Sequence, residues 1–326
     1  MELRDLAAFR EVARHASFSQ AAARLGFVQS TISAQIQSLE RDIGTRLFDR
    51  LGRSVALTDA GRALLPYAER ILEDASSAEA EVAGTLARDG ELVGTVRVSA
   101  PESLLTYRLP ALLSRFRKVA PKVIIELKPT TIGRFRGDTR RGVATGLVDV
   151  AFVLDTLLSI PGFRAVQLVR EDISVVAAPG HRLAGRRHAS PIDLDGDALL
   201  LPEAPDSGCV YRDQFERHLA ERHVTPGSKL EFAGIETVKQ CVVAGMGVSA
   251  LLSVAVDADI EAGRLVRLPW REPFEVYTQV VWSDHRYASP ALTALIDMAC
   301  GTFSVAGTGP EASLPKAVRS AVTRRS

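Results

Sequence analysis

The side chains best placed to do chemistry in this chain are amides and hydroxyls, gathered in one short run. Gln29, Ser30, Ser33 and Gln37 fall on one side of a helical projection, and no ionised residue lies between Gln29 and Gln37. Amides and hydroxyls at the start of a helix are groups that can hydrogen-bond base edges in a major groove. Attraction to phosphate must then come from neighbours such as Arg24, Arg46, Arg50 and Arg53. The bland alternative is an ordinary amphipathic helix pair.

The elements that would position these groups are legible around them. The stretch 18–37, opening on Phe18 and closing on Gln37, reads as two short helices joined by a tight turn. Ser17 and Gln20 form a capping box, so a helix starts at Phe18. Ala21 and Ala22 are small enough for a second helix to cross closely, and Gly26 supplies the backbone freedom that ends the first. In the second helix Ile32, Ile36, Leu39 and Ile43 recur at three- and four-residue spacing and face a core. Leu3, Leu6, Phe9, Val12 and Ala13 give an earlier helix a face to complete it. Two short strands follow at 48–50 and 54–57, and the turn 51–53 pushes Arg53 outward toward a minor groove or phosphate. Residues 1–58 are thus expected to form a winged helix-turn-helix DNA-binding domain.

Thr58 caps a long helical run with Asp59 at its positive end, making 59–89 a linker. Leu64, Ala68, Ile71, Leu72, Ala75, Ala78, Val82 and Leu86 keep an apolar seam along it. Such a seam either packs on its own domain or pairs with its twin, and dimerisation is the favoured reading. From residue 92 strands alternate with helices, an α/β arrangement with mostly parallel strands and a helix over 104–119. It is expected to span 92–303 in two lobes, lobe I over about 92–164 and 265–303, lobe II over about 165–264. The Gly-, Ser-, Pro- and Arg-rich tail 304–326 is expected to be disordered.

Composition narrows the function classes. In 326 residues the formal net charge is only +1, and residues 1–58 hold eight arginines against six acids, so charge alone argues weakly for nucleic acid. No Gly-rich phosphate loop, paired metal ligands or nucleophile elbow appears. No catalytic residue, metal or cofactor is therefore expected, and the chain does not read as an enzyme. The N-terminus lacks a basic start followed by an apolar run, and no stretch approaches the ~18 apolar residues that span a membrane. Cys209, Cys241 and Cys300 are odd in number and widely spaced, which fits reduced thiols in a cytoplasm.

In an α/β fold a ligand sits beyond the carboxyl ends of strands, where helix starts point donors into the crevice. That selects Pro101, Glu102 and Ser103 after the first strand, Thr130 and Thr131 after the second, and the loop 203–209 with Ser207 and Cys209. Hydroxyls and helix starts suit a small carboxylate. Phe135, Phe152 and Tyr211 could equally line an aromatic pocket. Capping alone would also explain Ser103 and Thr131.

The pattern Leu6, Phe9, Val12, Ser17-Phe18-Ser19, Ala21-Ala22, Leu25, Gln29-Ser30, Ser33, Ile36, Leu39-Glu40, Gly44, Leu47-Phe48-Asp49-Arg50, Leu57-Thr58 and Ala60-Gly61 closely resembles the LysR-type transcriptional regulators. The resemblance continues to about residue 300 through Ala178-Pro179-Gly180-His181, Gly208-Cys209-Val210-Tyr211-Arg212 and Val243-Ala244-Gly245-Met246-Gly247. It implies a bacterial transcription factor with a winged helix-turn-helix, a dimerising linker and an effector domain similar to periplasmic binding proteins. The implied partners are a double-stranded DNA operator, a small-molecule effector, a second dimer completing a homotetramer, and RNA polymerase.

Two positions depart from the family. Val28 stands where Ser or Thr is usual, and Ala34 where Arg or His is common, so both lose polar groups from the DNA face. The surroundings of Cys209 resemble the reactive cysteine of peroxide-sensing members, but His218 occupies the region where a resolving cysteine would be sought. An inert or pocket-lining thiol is the favoured reading. A stand-alone solute-binding protein is the remaining rival, and the attached winged helix argues against it.

Overall fold

The computed structural model describes residues 1–51, 54–86, 91–130, 134–202 and 208–303. The tail 304–326, expected to be disordered, lies outside the described residues, as do Arg53, Thr131 and Ser207. The chain divides into two compact units, one of Met1–Asp89 with Thr145–Leu147, the other of Gly90–Ala144 and the chain from Val148 onward.

In the first unit, α1 (Leu3–His15), α2 (Phe18–Leu25) and α3 (Gln29–Ile43) pack around Leu6, Phe9, Val12, Ala21, Ile32 and Leu39. Ser17 accepts the Gln20 N–H at 3.3 Å, and Gly26 ends α2 in the left-handed region at φ 72°. Leu3 and Ile43 were expected to face the core, but they are 48% and 40% exposed, at the first residue of α1 and the last of α3. Strands β1 (Phe48–Leu51) and β2 (Ser54–Leu57) form the antiparallel wing.

One knot of hydrogen bonds joins wing to helices. Glu40 Oε1 accepts the Leu47 N–H at 2.8 Å, and Thr58 Oγ1 donates to the Arg46 carbonyl at 2.8 Å while accepting Gly61 N–H at 3.0 Å. Gly61 has no alternative there, because a Cβ would lie 2.2 Å from the Leu47 carbonyl oxygen. Thr58 thus caps α4 (Asp59–Leu86), which carries Pro66 in its interior, where a proline has no N–H to give to the carbonyl four residues before it.

The second unit opens with β3 (Val93–Pro101), α5 (Glu102–Tyr107), α6 (Leu109–Val119), β4 (Lys122–Thr130), α7 (Gly137–Thr145), β5 (Val150–Asp155) and β6 (Phe163–Arg170). It continues through β7 (Ile173–Ala177), β8 (Ala198–Pro202), α8 (Val210–Ala220), β9 (Ser228–Phe232), α9 (Ile235–Val243), β10 (Ser249–Leu252), α10 (Ser253–Glu261), β11 (Val266–Arg267), β12 (Tyr277–Ser283) and α11 (Pro290–Phe303). A five-stranded sheet in the order β4-β3-β5-β12-β6 makes lobe I; β10-β7-β11 and β8-β9 make lobe II.

Three expectations are corrected. The helix over 104–119 is two helices, because Pro110 cannot continue a helix and instead sits in the first turn of α6. The strands are mixed rather than mostly parallel: β12 returns from lobe II and runs antiparallel to both β5 and β6, and β7 pairs antiparallel with β10 and β11. The crossovers also fall later than 164/165 and 264/265, since β6 belongs to lobe I through its pairing with β12, and β11 to lobe II through β7.

Candidate functional site

The helix pair presents a polar surface of the expected kind. Gln29, Ser30, Ala34 and Gln37 are exposed on α3 and Ser33 is half-buried, while Ile32 and Ile36 on the other side are closed off. Val28 precedes α3 as its cap residue; its side chain makes no capping bond, and its carbonyl accepts the Thr31 N–H at 3.0 Å. Arg24 and Arg46 are exposed nearby in sequence. Nothing is described of the Arg50 side chain.

On α4, Ala68 is fully enclosed in the core of its own unit, and Leu64, Ile71 and Leu72 are half-buried against that core. The first half of the seam therefore serves its own domain. The Val82 side chain lies outside the described residues.

In the second unit, loops from both lobes meet at the carboxyl ends of β3, β4 and β5. Pro101 ends β3 and is buried; Ser103, in the first turn of α5, is 8% exposed. Glu102 reaches toward lobe II, where a Cβ on Gly234 would come within 3.1 Å of its Oε2. Gly234 precedes α9, so the carboxylate complements the positive end of that helix. The Thr130 hydroxyl is 3.3 Å from that of Thr139, tying the end of β4 to α7.

Four charged residues not singled out as site residues dominate this cleft. Asp155, at the end of β5, accepts Thr156 N–H at 2.9 Å and Phe135 N–H at 3.3 Å, and burial raises its carboxyl above the ordinary range. Arg134 lies 3.7 Å from Asp155 through Nε and 3.1 Å from Asp213 through Nη2. Asp213 stands on α8, so Arg134 pairs across the two lobes. Arg136 lies over Gly208, where a Cβ would stand 2.7 Å from its Nη2, and Gly208 at φ +86° is in the region that favours glycine. The signal was available: a charge at the carboxyl end of a strand, or in the loop after one, is placed for ligands by the fold's own geometry.

Cys209 immediately precedes α8 and is only 4% exposed, within the main core of the second unit. Phe152 and Tyr211 belong to that same core, and Phe135 packs edge-on against Phe163 at 4.9 Å in a smaller one. All three rings are buried in these cores. His218 stacks among aromatic rings, 5.2 Å from Phe274 and 6.3 Å from Trp270, and burial lowers its pKa. Among the described residues no group of His, Cys, Asp and Glu could hold a metal, and no helix is long and apolar enough to cross a membrane.

Residues 3–62 match the bacterial regulatory helix-turn-helix protein of the lysR family, and residues 89–303 the LysR substrate binding domain. The chain is 37% identical over 303 residues to the uncharacterized HTH-type transcriptional regulator YwqM of Bacillus subtilis, covering 93% of this chain and all of that one. In fold it is similar to a full-length OxyR variant from Pseudomonas aeruginosa (TM-score 0.67, 24% identity, 94% of this chain and 95% of that one). It is likewise similar to full-length CbnR complexed with target DNA (TM-score 0.66, 23% identity, 92% and 99%). With both of its parts matched along nearly their whole length, the chain belongs to the LysR family of transcriptional regulators and is not an enzyme.

Proposed function

We propose that this regulator is a cytoplasmic homo-oligomer, a dimer of dimers, that reads an operator with the polar side of α3 and answers to a small carboxylate held between its lobes. The observation that carries the effector reading is the Arg134–Asp213 ion pair, because it joins the loop after Thr130 in lobe I to the helix after Cys209 in lobe II. A ligand that exchanges its own carboxylate for Asp213 changes the free energy of lobe closure, and only such differential binding can shift a conformational equilibrium. Ser103, in the first turn of α5, supplies a further wall.

Closure then alters how effector domains pack in the oligomer, and with it the spacing of recognition helices on DNA and contact with RNA polymerase. The second half of the α4 seam, Ala75, Ala78, Val82 and Leu86, pairs with its twin, since the first half is already taken by its own domain. Val82→Glu is expected to shift sedimentation toward monomer.

The effector reading is tested by a thermal-shift panel of small mono- and dicarboxylates on the full-length protein. At least one is expected to raise the unfolding temperature of the wild type but not of Ser103→Ala or Arg134→Gln. Shifts that survive in both variants would remove the cleft from the account.

A further inference from the structure

Ser19, in the first turn of α2, donates its hydroxyl proton to Oε1 of Gln29, the first residue of α3, at 2.9 Å. Both residues are exposed, so no core packing holds them together, and an exposed bond of this kind adds little to stability. Its consequence is orientational. A glutamine amide carries an acceptor and a pair of donors on opposite sides of one carbon, and a half-turn of the group exchanges them. With the oxygen held by α2, the Nε2 group is turned away from α2, and the two N–H donors face what lies beyond the start of α3.

We propose that Ser19 is a positioning residue for base reading: it fixes the Gln29 amide with its donors outward. Gln29 then favours base edges that accept, such as adenine N7, guanine N7 and O6 or thymine O4, and disfavours cytosine, whose major-groove edge offers only the N4 donor. Oε1 keeps a second lone pair, so a paired contact to adenine N6 and N7 remains open to it. The hydroxyl of Ser19 has one proton. Given to Gln29, it is not available to a phosphate oxygen, which separates this role from an ordinary backbone contact. The inference rests on the reading of α3 as the base-reading helix.

The test is selection from a randomised duplex library by the full-length protein and by Ser19→Ala, Ser19→Thr and Gln29→Glu, with salt dependence measured on the selected sites. Gln29→Glu, which accepts but cannot donate, is expected to change base identity at one position per half-site, toward cytosine. Ser19→Ala is expected to relax preference at that same position by roughly tenfold with an unchanged salt slope, and Ser19→Thr to restore it. Uniform weakening over all sequences with a shallower salt slope would make Ser19 a phosphate contact and overturn the proposal. An unaltered Ser19→Ala profile, or relaxation at a different position from the one Gln29→Glu changes, would overturn it too. If Gln29→Glu and Ser33→Ala both leave the selected sequences unchanged, the base-reading role of α3 fails instead.

Discussion

Arg108 closes both arms of its guanidinium on Glu171, Nε on Oε1 at 3.1 Å and Nη2 on Oε2 at 2.6 Å. Thr278 adds a hydroxyl at 2.6 Å, and the Glu171 side chain is 1% exposed. This carboxylate lies where the chain leaves β6 for lobe II, and its own N–H is held by the Val276 carbonyl just before β12 returns. Arg108 ends the six-residue α5, whose first turn carries Ser103. One short helix therefore links the effector wall to the crossover between lobes.

A buried carboxylate robbed of its partner keeps its desolvation cost and loses its compensation. Arg108→Ala is expected to lower stability by about 3 kcal/mol in urea unfolding. Arg108→Lys should fall between the two, since it restores the charge but not the two-armed geometry. A loss for Arg108→Ala below about 1 kcal/mol would place the pair among weak surface bridges.

Gly61 is the second point of fixed geometry. Gly61→Ala puts a methyl group into the Leu47 carbonyl, which is itself bonded to Thr58 N–H at 3.0 Å, so neither partner can withdraw freely. The expected cost is about 2 kcal/mol, within the range for overpacked sites. Operator affinity should fall with it, as the wing shifts against α3. Wild-type stability in this variant would show that the junction yields.

His218 gives a pH dependence whose sign is fixed. Burial among Trp270 and Phe274 holds its folded pKa below the ordinary 6.5. As pH falls through 6.5 the unfolded chain takes up this proton before the folded one does, so stability drops from that point downward until the folded value is passed. His218→Phe, which keeps the ring packing, should lose part of the decline that the wild type shows below pH 6.5. Identical pH profiles would mean that the ring charges in the fold without penalty.

The first unit was legible because its signals are local. Ser17, Gly26 and the Ile32–Ile36–Leu39 stripe each act within a few residues, and the structure places all of them as the spacing requires. What failed there were the ends of periodicities: Leu3 and Ile43 keep the helical step but lie beyond the core they would face. In the second unit individual strands such as β5 and β8 are apolar runs that any reading finds. Their pairing is not local. Nothing near Tyr277 says that β12 will enter a sheet begun some way back, between β5 and β6, and so the sequence points to mostly parallel strands and sets both crossovers somewhat early. The cleft was found by topology, through Ser103 and Thr130, whereas Arg134, Asp155 and Asp213 were passed over because their meaning arises only when the lobes face each other.

The central claim is that α3 reads bases while arginines outside it hold the phosphates, and the salt dependence of operator binding tests this most directly. Ser33→Ala should erase most of the preference for operator over unrelated duplex, with the slope of log affinity against log salt unchanged. Arg53→Ala should weaken both duplexes alike and reduce that slope by about one. Equal losses of preference and equal slopes in the two variants would contradict the account.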